Sequence, residues 1–541
     1  MKWFAMILVA GAALSVSCTT FATTWHVHPN PDSGHATTIQ EGIYLASPAD
    51  TVLVACGTYY DCTHQDLYGD YNCVIMQSGV CLRSETGEAD CVTIDAQGSG
   101  RGIYCYGVDG SAKIEGFTIT HGYLPLRGGG GMLCYDSSPR LTNCTFSENV
   151  VDSVGSGGGM KCYNSSPTLT GCMFSGNCAM NGGGIHSMLS SVRLSSCTFS
   201  SDSAANWGGG ICFDTDSADS IVDCIFLDNI ARQGGGVYFQ MSSPPLARCV
   251  FSGNTGRNCG GGIMCGGSSP RLTHCIFSQN SAQWGGLRSS LWDGSGGAVM
   301  SFGLTPQTMS FPTLSGCTLY RNSVVDKGAG IYSFSLSIVT VENTIIASGT
   351  SGAAVWCEQG ATITLSCSDV YDNAGGDWIG CILGQEGING NFSAPPLFCE
   401  PESGDFSISE YSPCAPSHSP PGCGLIGADS VACSITRVDV AEAEMPTTLY
   451  IGPAVPNPFN PVTEIGYGIP AGSTPSRVVM HVYDATGRQV TTLVDTDRGP
   501  GEYRVVWDGR DQKGAEVASG VYFYRICWNG KSQTRRMVLL K

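Results

Sequence analysis

Three aspartates crowd the stretch SDVYDNAGGDW: Asp369, Asp372 and Asp377. Clustered oxygen ligands suit Ca2+, and an acidic surface loop is the other reading of the same residues. Trp284, Trp292 and Trp378 stand in or near irregular stretches. An indole there can stack on a sugar ring, or it can serve as core or loop anchor. These three are the ligand-contact candidates. Lys113, Lys161 and Lys327 are the lysines between residues 23 and 433, and none has an acidic cluster beside it in sequence. No residue can be assigned a catalytic role from spacing alone, and no cofactor is implied beyond Ca2+ at the three aspartates.

Charge narrows the partners. The chain carries 27 Lys+Arg against 45 Asp+Glu, a net charge of -18. Binding a phosphate backbone needs clustered cations, so nucleic acid is excluded as a partner. Residues 446–541 hold 11 basic and 8 acidic side chains, whereas residues 1–445 hold 16 and 37. That break marks two bodies of different origin. The N-terminus has Lys2 followed by an apolar run, Phe4 to Val16, and a small residue at Ala22. Residues 1–22 are read as a removable export signal. No later segment is long and apolar enough to span a membrane, so the mature chain has no transmembrane segment.

The elements that must position any site come from a repeat. A Cys-x-Phe-x-x-Asn core recurs at Cys144, Cys172, Cys197, Cys224, Cys249, Cys275 and Cys317 in whole or variant form, in steps of about 26 residues. A Gly-Gly-Gly or close variant accompanies each copy. One step is longer and holds an insertion at 287–310, a loop expected to rise from the wall and contact a ligand. Alternation within each unit is short: Ile263 and Cys265 share a strand face, as do Cys275 and Phe277. Leu272 and Cys275 are three apart, so a two-residue corner separates two strands. Ser-Ser-Pro marks another corner. Each unit therefore reads as one coil of short strands that buries its Ile, Leu and Phe only by stacking on its neighbours. The predicted fold is all-β: a right-handed parallel β-helix solenoid over 23–433, a linker over 434–455, and a small β-sandwich over 456–541.

Stacking predicts three ladders. Phenylalanines fill the lumen. The terminal Asn of each core should bond amide on amide. The repeated cysteines should stand about 4.8 Å apart with parallel Cβ directions, which favours buried thiols over bridges and lacks the compact Cys pairs of a zinc site. Off the ladder, Cys56 and Cys62, Cys73 and Cys81, and the group Cys399, Cys414, Cys423 and Cys433 are the disulfide candidates. At the start, Thr38-x-x-Glu41 forms a capping box, and Ile39, Ile43 and Ala46 make an apolar stripe able to close the stack, with Val52 to Ala55 as the first coil strand.

TIQEGIYLASPADTVLVACGTYYD, IEGFTIT and the repeats resemble the pectin-lyase-like right-handed β-helix superfamily, and the paired GGGI and FxxN motifs are similar to repeats of chlamydial polymorphic outer-membrane proteins. At the other end, PNPFNP, VYDATGR, WDGRDQKG, ASGVYFYR and RRMVLLK resemble the C-terminal sorting domain of type IX secretion, an Ig-like sandwich similar to that of flagellar hook-capping proteins. That resemblance implies recognition by the type IX export machinery and a secreted or cell-surface location. Motifs of polysaccharide enzymes are missing: there is no Asp-Asp pair, Gly-His-Gly or Arg-Ile-Lys. The expectation is an exported surface protein that binds polysaccharide or another cell surface, an adhesin or glycan-binding scaffold. A polysaccharide lyase or glycoside hydrolase with an atypical site is the alternative.

Overall fold

The computed structural model describes residues 22–30, 34–152, 154–216, 220–283, 294–433, 448–470, 476–498 and 501–540. The export signal, Trp284, Trp292 and the first part of the 287–310 insertion lie outside the described residues. The chain forms two units, Met1–Ala394 with Pro420–Ala428, and Pro395–Ser419 with Asp429–Lys541.

The first unit is a β-solenoid. Four sheets of 13, 12, 8 and 12 strands run along it, here numbered first to fourth in the order a coil visits them. One coil, for example, supplies Arg193–Ser195, Thr198–Ser200, Ser203–Trp207 and Ile211–Asp214 to these sheets in turn. Coil-to-coil pairing is parallel and in register, as in Phe174 opposite Phe199 and Phe199 opposite Phe226.

The corners explain the repeat. A single left-handed residue turns the chain between the first and second sheets: Asn143 (φ 49°), Gly171 (63°), Asp223 (54°) and His274 (52°). Asn, Asp and Gly tolerate this region best. In the glycine triplets the first residue also has positive φ, as at Gly208 (62°). The third is excluded from bearing a side chain for another reason: a Cβ on Gly210 would lie 2.8 Å from the carbonyl oxygen of Gly236 in the next coil.

Inside, Phe146, Phe174, Phe199, Phe226, Phe251 and Phe277 stack with centroids 4.6–5.0 Å apart, the rise of one coil. The asparagine ladder is present. Nδ2 of Asn229 donates to Oδ1 of Asn254 at 2.9 Å and to the Phe199 carbonyl at 3.0 Å, and Asn254 repeats this toward Asn280 and Phe226. Cys144, Cys172, Cys197, Cys224, Cys249, Cys275 and Cys317 are buried thiols, none in a disulfide.

Disulfides lie at the ends: Cys56–Cys91, Cys62–Cys73, Cys357–Cys381 and Cys367–Cys423 in the first unit, and Cys399–Cys433 in the second. The expected groupings are corrected: Cys56 bonds Cys91 rather than Cys62, and Cys73 bonds Cys62 rather than Cys81. Cys81 and Cys414 remain thiols, and Cys91, Cys357, Cys367 and Cys381 take part unforeseen, because the bridges join residues that only coil stacking brings together. The helix Ile39–Leu45 caps the stack, with Thr38 Oγ1 accepting from Glu41 N at 3.1 Å. Glu41 reaches back to the amide of Thr37 at 2.9 Å, one residue earlier than a capping box requires. The first strand is also earlier than expected: Thr24–Val27 pairs with Thr51–Val54.

The second unit contains the three-stranded sheet of Phe398–Glu400, Asp405–Ser409 and Val431–Cys433. It also contains two antiparallel sheets. One comprises Tyr450–Val455, Thr463–Ile469 and Gly501–Trp507; the other comprises Ser476–Asp484, Gln489–Arg498, Gly520–Trp528 and Lys531–Leu539. Ile465, Tyr467, Met480, Trp507, Tyr524 and Met537 form their shared core. Among the described residues no helix is long and apolar enough to cross a membrane.

Candidate binding wall

The fourth sheet presents one face to the lumen and one to the outside. Its strands alternate accordingly: Met160 and Cys162 point in, Lys161 and Tyr163 out. The last outward position is tyrosine in three successive coils, Tyr106, Tyr135 and Tyr163, directly in register. Their rings stand 5.7 and 5.1 Å apart. Tyr68 joins them from a loop, 6.5 Å from Tyr135, with the Arg127 guanidinium 4.2 Å above its ring and 3.7 Å from Asp70. Tyr106 and Tyr68 are 47% and 43% exposed, high for rings that have stacking partners. The neighbouring Tyr68, and burial after it, push the Tyr135 hydroxyl up. The Tyr135 phenol therefore stays protonated and can donate as well as accept hydrogen bonds.

A buried ion pair fixes the Tyr68 loop. Arg101 is fully buried and donates to Asp66 at 2.9 Å, to Asn72 at 2.6 Å and to the Gly129 carbonyl at 3.1 Å. The Cys62–Cys73 bridge closes the same loop. Two devices thus hold the loop of Tyr68, and sheet register holds Tyr106, Tyr135 and Tyr163.

The other outward row runs Lys161, His186, Cys212, Tyr238, Met264, Met300, Tyr332 and Trp356, strand by strand. It is mostly covered. Trp207 stacks on Tyr238 at 5.5 Å, and Cys212, Cys259, Met264, Met300 and Tyr332 pack into an apolar cluster outside the lumen. Burial pulls His186 down to about 3 and lowers Lys161, whose Nζ donates to the Arg127 carbonyl at 2.8 Å. Burial raises the Cys212 thiol. At the far end Glu358 accepts from Lys327, from Tyr332 Oη at 3.1 Å and from Trp356 Nε1 at 3.2 Å. Burial pushes this carboxyl up, but the three donors outweigh it and hold it below the ordinary range. A saturated carboxylate, a neutral histidine and a raised thiol make a wall suited to contact, with no activated nucleophile among them.

The residues singled out by sequence lie elsewhere. Trp378 is 8% exposed and packs into the lumen cluster, the core-anchoring alternative of the sequence reading. Asp369 is buried and accepts from Ala394 N at 3.0 Å. Asp377 accepts from the amides of Asp372 and Asn373 at 3.1 and 2.9 Å and from the Asn373 side chain at 2.7 Å. Among the described residues no group of three or more His, Cys, Asp or Glu is placed to hold a metal. The sequence carries a signal for the tyrosine row: IYCY, MLCY and MKCY end on tyrosine at the coil period.

The model of the right handed beta helix region matches residues 61–223 and 209–388, together more than half of the chain. The chain belongs to the right-handed β-helix family. In this β-helix protein the FlgD Ig-like domain model matches residues 462–527, so the C-terminal sandwich is Ig-like. No curated protein matches the chain. Among solved structures, dimeric latent PorU from Porphyromonas gingivalis is similar over 20% of this chain and 10% of its own, at 19% identity and a TM-score of 0.16.

Proposed function

We propose that this β-helix is an exported, cell-surface protein that works by binding, an adhesin or glycan-contacting scaffold without catalytic activity. The tyrosine wall carries the reading. Tyr68, Tyr106, Tyr135 and Tyr163, with Arg127 over one ring, combine side chains that dominate recognition surfaces. Their hydroxyl edges suit the polyol surface of a sugar chain. The acidity of residues 1–445 favours a neutral polysaccharide over a polyanion, unless Ca2+ bridges the two. The C-terminal Ig-like domain, through its resemblance to type IX sorting domains, supports export by that machinery.

The test is a panel of neutral and acidic polysaccharides, with and without Ca2+, offered to the purified protein while binding, reducing ends and unsaturated products are followed. Binding without turnover is expected, weakened about tenfold by Tyr135→Ala, the loss of about 1.4 kcal/mol. Turnover on any member would replace this reading with a polysaccharide lyase or hydrolase.

A further inference from the structure

One coil breaks two ladders at once. Where its neighbours carry Asn177 and Asn229, the coil that begins at Cys197 carries Asp202; where they carry Ser190 and Ser242, it carries Asp216. Both acids are buried, at 0% and 8% exposure. Each uses one oxygen as the ladder demands. Asp202 Oδ1 accepts from the backbone and side-chain amides of Asn177 at 2.8 Å, and Asp216 Oδ1 accepts from Ser190 N at 2.7 Å. Among the described residues each leaves its second oxygen buried and outside the ladder's hydrogen bonds, with the Ser187 hydroxyl the one side chain that favours the Asp216 charge.

The ladders show what that second oxygen faces. Asn177 Nδ2 donates to the Phe146 carbonyl, and Asn229 Nδ2 to the Phe199 carbonyl. In the Asp202 coil the equivalent acceptor is the Phe174 carbonyl. A Cβ on Gly131 would lie 2.9 Å from Asn149 Nδ2, and a Cβ on Gly184 2.9 Å from Asp202 Oδ2, so the acid oxygen stands in the amide nitrogen's place. Ser137, Ser165 and Ser190 likewise donate their hydroxyls at 2.8 Å to the carbonyl two residues back. Asn177 and Asn229 are therefore donors at the first position, as Ser190 is at the second, while the Ser242 hydroxyl in the next coil makes no hydrogen bond among the described residues. An ionised carboxylate offers no donor, and a protonated one restores it.

We propose that the Asp202–Asp216 coil is a proton-operated weak point of the solenoid, closed when both carboxyls are protonated and loosened when they ionise. Among the described residues no cation offsets either charge: Asp202 faces Asn177 and Asn229, while Asp216 has Ser187, Ser190, Cys212 and Asp214 around it. Burial accordingly raises Asp202 well above the carboxylate range and Asp216 to about 7. The native state then binds more protons than the unfolded chain, whose aspartates titrate near 3.9. Stability is fully present below about pH 4 and is lost as pH rises through the folded values. Each acid weakens the folding constant by up to about tenfold per pH unit in that window.

The full-length protein is compared with Asp202→Asn, Asp216→Ser and the double variant between pH 4 and 9. Two readings are taken: the denaturation midpoint of the solenoid, and amide hydrogen exchange of residues 197–223 relative to adjacent coils. In wild type both should fall with rising pH. The variants should match it at pH 4 and exceed it at pH 8, the double variant most. Should one variant fail to fold, the other single substitution carries the comparison. An unchanged pH slope in the variants, or equal protection of this coil and its neighbours at pH 8, would overturn the proposal.

Discussion

Burial without a nearby cation keeps a thiol protonated and unreactive. On the lumen ladder desolvation raises Cys275, while the hydrogen bond from Cys172 lowers Cys144 and Cys197, so what the ladder thiols share is burial out of a reagent's reach. The Sγ atoms of Cys224, Cys249 and Cys275 approach backbone carbonyls two residues back at 3.3–3.5 Å. They behave as small apolar side chains with a weak donor. Cys178, by contrast, is exposed, and Cys81 and Cys527 are half-buried. A thiol reagent added to native protein should therefore label these three positions and spare the ladder. The ladder should appear only after denaturation. Fast native labelling at Cys224 or Cys249 would mean that the coils open far more readily than this packing permits.

A coil gains its stability from the coils on either side, so element-scale substitutions should propagate. Phe226 lies between Phe199 and Phe251 at 5.0 and 4.6 Å. Phe226→Ala leaves a cavity bounded by two flat rings on in-register strands that have little room to collapse. A loss of about 3–5 kcal/mol is expected, measured as a shift of the solenoid's denaturant midpoint. Adding Phe199→Ala should depart from additivity, because the two rings share a contact. The repeat was legible for the same reason it is stable: Phe, Asn and the glycines answer to constraints within one coil and the next. The tyrosine wall was harder to see. Its outward direction depends on which strand positions face the lumen, and its fourth ring, Tyr68, arrives on a loop fixed by Arg101 from another coil. The Cys56–Cys91 and Cys367–Cys423 bridges span 35 and 56 residues and likewise depend on stacking. Trp378 stands in an irregular stretch rich in Gly and Asp, where sequence leaves sugar contact and core anchoring both open, and it packs with the lumen core.

At the scale of the whole chain, charge and core divide together. Residues 1–445 hold 16 basic and 37 acidic side chains, and residues 446–541 hold 11 and 8. The Ig-like domain has its own buried cluster, from Leu449 to Leu539, and Tyr524 Oη within it donates to the Gly452 carbonyl at 2.8 Å. A fragment spanning 446–541 should therefore fold alone with one cooperative transition, and the full chain should show a separate transition for the solenoid. The two transitions should answer differently to salt. Excess negative charge repels itself in the compact state and is screened over about 10 Å at 0.1 M salt. Raising the ionic strength should thus lift the solenoid midpoint while moving that of the nearly balanced Ig-like domain little. Calorimetry of both proteins at low and moderate NaCl reads this directly. A single merged transition, or equal salt shifts in both, would show that the two bodies are energetically coupled and that the charge break does not mark a boundary of stability.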